Sequence, residues 1–259
     1  LLAVLVIELW LEYRPYIVEQ ARGGRGVLGR FYKLLTLGSY NVSPGALALD
    51  DRIGRVITVI GIPSAFLLHG YVGFIFGSVK ANPWWSTPLM PIVFLFSAIV
   101  SGIAAVLLIY IIYCKSKRIP IDVSCLDTMA KYLYYAFIVD FSLEMLDLIH
   151  RIYESDESFQ SLDFMVKTRL YGSQIVLQIV LGTLVPLALL ALTQLRKFTI
   201  VVRQRIYVVA AVLTMVGIFA MRWNVVIGGQ LFSKSFLGYT TYKMEFATRE
   251  GLLPAILLM

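Results

Sequence analysis

Histidine and cysteine are nearly missing from this chain: 259 residues hold two of each. Two thiols, Cys114 and Cys125, cannot supply the four ligands of a structural zinc or an iron–sulfur cluster. Both fall on or beside one short basic loop, where free thiols facing a reducing compartment are expected. Charge is scarce as well. Asp, Glu, Lys and Arg make up 15% of residues against 59% hydrophobic, and the mean hydropathy is +0.78. A soluble domain of this length would carry more charge and shorter apolar runs. Internal repeats and low-complexity tracts are absent, and no short basic region ahead of a single apolar stretch explains the whole chain as a leader.

What the chain does have is apolar runs of membrane-crossing length. A hydrocarbon core of about 30 Å takes roughly 20 apolar residues in a helix, and backbone groups in lipid must be satisfied within the segment or in a closed barrel. The expected fold is all-α, a polytopic transmembrane helical bundle forming one integral-membrane domain over 1–259. Full spans are predicted at about 53–79, 88–113, 127–150, 169–195 and 204–224, with partial spans at 1–11 and 252–259. The apolar starts and stops, "LLAVLVIELWL" and "GLLPAILLM", read as pieces of spans in a longer protein. Residues 12–51 form a basic connector in which Arg22, Arg25, Arg30 and Lys33 alternate with apolar residues. That pattern fits either an amphipathic segment lying on the membrane or a solvated basic loop.

Alternate loops differ in sign. One side carries the connector, then Lys115, Lys117 and Arg118, then Arg196, Lys197, Arg203 and Arg205. The other carries Lys80 and the acidic loop "YESDESFQSLDFMVK" with Glu154, Asp156, Glu157 and Asp163. The positive-inside rule places the basic loops in the cytoplasm and the acidic loop outside. The net charge of +7 is then an orientation signal, and no nucleic-acid partner is implied.

Ionisable residues inside spans are costly, on the order of 2.5–3.5 kcal/mol each, so those present mark wet or protein-facing surfaces. In "AFIVDFSLEMLDLIHRIY", Asp140, Glu144, Asp147 and Arg151 follow one helical stripe at i, i+4, i+7 and i+11. The stripe reads as a proton-transfer relay or, alternatively, as a structural ion-pair network. In "VIGIPSAFLLHGYVGFIFGS", Pro63 is expected to kink the helix. His69, roughly 12 Å from the outer end at 1.5 Å per residue, could exchange a proton with a ligand or simply bond a neighbouring helix. Gln174 and Gln178 share a face of the fourth full span, where hydrogen bonding between helices is the plain reading. Arg222, Trp223 and Asn224 close the last full span, ahead of Gly228 and Gly229. Asp140 falls near mid-membrane, while His69, Glu144, Asp147, Gln174, Arg222 and Asn224 map to the outer half of the bilayer, and the second full span has no ionisable residue. A polar, proton-capable pocket between apolar helices suits a lipophilic redox carrier.

Three stretches, "GIPSAFLLHGYVGFIFG", "NPWWSTPLMPIVFLFSAIVSGIA" and "RWNVVIGGQ", resemble the NrfD/PsrC-type family, the polysulfide-reductase-like membrane subunits of respiratory complexes. Within that family the chain most resembles the DsrP/HmeC-like quinone-reactive subunits of sulfate-reducer complexes. The resemblance implies eight to ten helices in a prokaryotic cytoplasmic (inner) membrane and no haem or iron–sulfur cluster in this chain. It implies menaquinone or ubiquinone as bound substrate, an iron–sulfur (ferredoxin-like) partner on the outer face, and other subunits such as cytochromes. On this resemblance His69, Arg222, Trp223 and Asn224 are the quinone-binding candidates. Asp140, Glu144 and Asp147 come from their spacing alone. Two other readings stay open. His69 and His150 could ligate a haem b, or Pro63 and the Gly228–Gly229 pair could break the helices of a secondary transporter or channel.

Overall fold

The computed structural model describes residues 1–24, 26–153 and 157–231. Arg25, Glu154, Asp156 and the partial span at 252–259 lie outside the described residues, as do the side chains of Arg151 and Glu157. The predicted all-α architecture is what the structure has, and no strand occurs among the described residues. The helices are α1 (Leu2–Gly23), α2 (Gly26–Leu35), α3 (Pro44–Gly77), α4 (Met90–Lys117), α5 (Val123–Tyr153), α6 (Glu157–Thr168), α7 (Tyr171–Leu195) and α8 (Ile200–Gln230). Four of them, α3, α4, α7 and α8, are long and apolar enough to cross a membrane. The protein is therefore a multi-pass membrane protein. The fifth expected span, α5, has 31 residues, about 46 Å of helix. Its ionisable residues set it apart from the other four.

Two compact units divide the chain, Leu1–Tyr71 and Val72–Met259. In the first unit, residues expected as connector are largely helical, in α1, α2 and the start of α3. Arg14 is buried and holds this unit together. It forms an ion pair with Asp50 at 2.5 Å and donates to Ser39 Oγ and the Asn41 carbonyl. Trp10 Nε1 donates to the Leu35 carbonyl at 2.7 Å. The tight turn from α1 to α2 depends on glycine: a Cβ at Gly29 would lie 2.2 Å from the Gly24 carbonyl oxygen. α3 continues as a helix on both sides of Pro63, and His69 is half-buried on the same helix.

In the second unit the core is a bundle of α4, α5, α7 and α8. Val100, Ala104, Leu107 and Ile111 of α4 repeat at spacings of four and three, and so do Leu126, Ala130, Leu133 and Phe137 of α5. Leu190, Tyr207, Ala210, Ala211 and Ile218 complete that cluster. The outward faces stay apolar, as with Val106, Ile109 and Ile112 on α4, which suits contact with lipid rather than water. Packing between α7 and α8 is set by small residues. A Cβ on Gly182 would lie 2.2 Å from the Gly217 Cα, so the two backbones touch there. The first part of α7, Tyr171–Leu184, is wound as a π-helix before α-helical geometry resumes. Such wide turns are rare and concentrate at functional sites.

Candidate functional site

The short link from α3 to α4 grips the end of α8. Asn82 Nδ2 donates to the Gly229 carbonyl at 2.8 Å, Trp84 Nε1 to the Asn224 carbonyl at 3.0 Å, and Trp85 Nε1 to the Val225 carbonyl at 2.6 Å. Gly229 is in the last turn, where carbonyls have no helical donor of their own. The indoles can come this close because Gly228 and Gly229 have no side chains. A Cβ there would lie 2.7 Å from the Trp84 ring and 2.0 Å from the Trp85 ring. The "NPWW" and "IGGQ" stretches, about 140 residues apart, are thus two halves of one joint.

Against this joint lies a cavity of about 420 Å³ within the second unit. Its apolar wall includes Met90, Val93, Leu148, Ile152, Ile175, Ile179, Met221 and Val225, with the edge of Trp84. The polar groups that converge on it are Thr87, Glu144, Asp147, Gln174, Gln178 and Asn224. Asn224 is 2% exposed and donates through Nδ2 to Gln178 Oε1 at 2.9 Å. Thr87 Oγ1 donates to Asp147 Oδ1. The oxygens Asn224 Oδ1 and Gln174 Oε1 are buried and receive no hydrogen bond within the protein. An unsatisfied buried acceptor costs about 1–3 kcal/mol, and such groups are rare enough to need a reason. Here the reason is their place in a cavity rimmed by acceptors.

The carboxylates come from α5. Leu126, Ala130, Leu133 and Phe137 continue in register as Asp140, Glu144 and Asp147, so the acids occupy the helix positions that otherwise pack the core. Glu144 and Asp147 line the cavity. Asp140 sits one turn deeper, 4% exposed, with Oδ1 lacking a donor. It interacts electrostatically with Arg222 of α8 and with Glu144.

The sequence candidates therefore separate. Asn224, Glu144 and Asp147 face the cavity. Arg222 does not, because two residues along a helix turn the side chain by about 200°. Its guanidinium reaches toward α4, 3.4 Å from Ser97 Oγ and 5.7 Å from the Phe94 ring centroid. Trp223 packs near Phe219, with ring centroids 6.3 Å apart. His69 and Pro63 belong to the first unit. Sequence reasoning missed Trp84 and Thr87, and it treated the Tyr153–Lys167 stretch as a loop. Most of that stretch is α6, whose Leu162, Asp163 and Val166 form part of the cavity wall. The signal was present in the three- and four-residue spacing of Leu162, Met165 and Val166, hidden among charges. Both cysteines are free, Cys114 buried and Cys125 exposed. Among the described residues no three His, Cys, Asp or Glu side chains are grouped to hold a metal ion.

The family profile described as "Polysulphide reductase, NrfD" matches residues 1–234. The chain belongs to the NrfD family. Among curated NrfD-like proteins, it is similar to a selenate reductase subunit of Mesobacillus selenatarsenatis, 33% identical over 121 residues. That match covers 44% of this chain and 28% of the relative. Protein NrfD of Escherichia coli is 34% identical over 71 residues, covering 27% of this chain and 22% of the relative. A putative dimethyl sulfoxide reductase membrane subunit of Halobacterium salinarum is 30% identical over 167 residues, covering 62% of this chain and 38% of the relative. The matched stretch thus spans well under half of each of these relatives.

Proposed function

We propose that this NrfD-family chain is part of the membrane subunit of a respiratory reductase complex and binds a quinol in the α5–α7–α8 cavity. The observation that carries this is the chemistry of the lining: a long apolar wall with four acceptor groups, Glu144, Asp147, Gln174 Oε1 and Asn224 Oδ1, converging on one side. A quinol presents two O–H donors on an apolar ring, and its oxidation releases two electrons and two protons. Asn224 and Gln174 are placed to accept from the hydroxyls and orient the ring. Glu144 takes the two protons in turn, and Asp147, steadied by Thr87, passes each on. Asp140, deeper on the same stripe, extends the path of carboxylates, and Arg222 beside it offsets a second negative charge there. His69, carried by the family resemblance, remains a proposed quinone ligand that its own alanine variant tests.

Electrons leave to a centre on another subunit, in our reading an iron–sulfur protein at the membrane's outer face. Menaquinone is the carrier proposed, and a bacterial or archaeal cytoplasmic membrane the location. The likeness to reductase membrane subunits supports the class of complex; the names of those relatives, selenate and dimethyl sulfoxide reductases, argue against reading a terminal acceptor from family membership.

The test is fluorescence-quench titration of the complete complex with a quinol-analogue inhibitor. Saturable binding is expected, weakened about tenfold by Asn224→Ala, in line with the loss of one buried hydrogen bond. No saturable binding by the intact complex would overturn the reading and put the transporter alternative ahead.

A further inference from the structure

The second unit has another cavity, of about 490 Å³, at the opposite end of α5, where α5 and α8 begin and α7 ends. Its lining is polar throughout: Ser124, Asp127, Lys131, Gln194, Arg203 and Tyr207 are the groups that matter. Asp127 is already spent. One oxygen accepts from Arg203 Nη1 at 2.5 Å and the other from Tyr207 Oη at 2.9 Å. Arg203 is left under-satisfied, with its Nε–H buried and without an acceptor. Lys131 lines the cavity and is exposed, its ammonium 5.9 Å from the Tyr135 ring centroid one turn along the helix. The local balance is two cations against one carboxylate, a net charge of one positive unit.

The setting reinforces the sign. The last turn of α4 and the loops at this end carry Lys115, Lys117, Arg118, Arg196 and Lys197, all exposed. From Ser124 to Lys131 the cavity runs about 10 Å along α5, and the helix surface continues into exposed Tyr132 and Tyr135. A pocket between membrane helices with cations at its mouth and an aromatic, apolar flank below matches a phosphate head group whose chains lie along the helix.

We propose that this cavity is a phosphate-group site, with Lys131 and Arg203 as its cationic ligands, filled by the head group of an anionic phospholipid. Neither cation takes part in the quinol reading, and the two cavities share no lining residue.

The test uses the complete complex in detergent, titrated with short-chain phosphatidylglycerol while thermal unfolding is followed. The expected result is a saturable rise in the unfolding midpoint. Lys131→Gln, an exposed substitution that leaves the fold intact, should weaken the apparent affinity about tenfold. Lys197→Gln, a charge lost from the same end but outside the cavity, should leave it unchanged. Arg203→Lys keeps a charge on Asp127 while removing the planar donor set, and should weaken binding as well. Equal loss in Lys131→Gln and Lys197→Gln would reduce the effect to general surface charge and overturn the site. The same rise from inorganic phosphate at the same concentration would overturn the lipid as its source, and the same rise from phosphatidylcholine would overturn the need for an anion.

Discussion

Along α5, Leu126, Ala130, Leu133 and Phe137 pack against α4, α7 and α8, and the next three positions of the same spacing are Asp140, Glu144 and Asp147. The two halves of the helix share one stripe and one membrane. Along that stripe in the first half, facing side chains meet, and the polar cavity at the start of α5 opens beside it, at Asp127 and Lys131. In the second, a carboxylate at a packing position needs a donor, a counter-charge or a wet space, because its insertion into an apolar interior is costly. The structure supplies each: Thr87 for Asp147, Arg222 for Asp140, and the cavity for Glu144. The difference teaches that the cavity is not a packing accident. It opens where core positions change from methyl groups to carboxylates.

That comparison can be broken by moving the change. Phe137→Asp extends the acids one step into the packed half, where no donor or space awaits them. The expected outcome is a loss of about 3–5 kcal/mol, read as failure to recover monodisperse protein after detergent extraction. It can be sharpened from the other side with Glu144→Gln, which keeps shape and removes the proton acceptor. Quinol oxidation by the complex should fall about a hundredfold, while inhibitor binding stays within about threefold of wild type. Unchanged turnover would remove Glu144 from the proton path.

Two smaller changes probe what holds the polar half in place. Gly229→Ala puts a Cβ into the Trp85 ring and should cost about 1–3 kcal/mol as an overpacked contact, lowering the unfolding midpoint and loosening inhibitor binding together. Thr87→Val removes one donor from Asp147 and should cost about 1 kcal/mol. Its effect should show in turnover before it shows in stability. A stable Gly229→Ala variant with normal binding would mean the joint between the Trp84–Trp85 link and α8 does not position Asn224.

The membrane class, the helical fold and the acidic stripe were legible because each rests on a local period or a local run. Helix ends were less so. α8 begins at Ile200 and ends at Gln230, beyond the expected 204–224 on both sides, since helices continue past the apolar stretch that crosses lipid. α6 was read as loop because polar and charged residues interrupt its apolar positions. Within "RWN", three consecutive residues point to three faces, and of them Asn224 turns to the cavity, which adjacency in sequence does not reveal.

By itself the sequence determined that this chain crosses a membrane as helices and that α5 carries its carboxylates on one face, because both follow from composition and from 3.6 residues per turn. Only the tertiary structure decided that this face is the one that packs, that Trp84 hydrogen-bonds the Asn224 carbonyl, and that Gln178 holds its side chain. Those pairings join residues 140 and 46 positions apart. No local period encodes them. They follow from where Gly182, Gly217, Gly228 and Gly229 let backbone and ring come into contact.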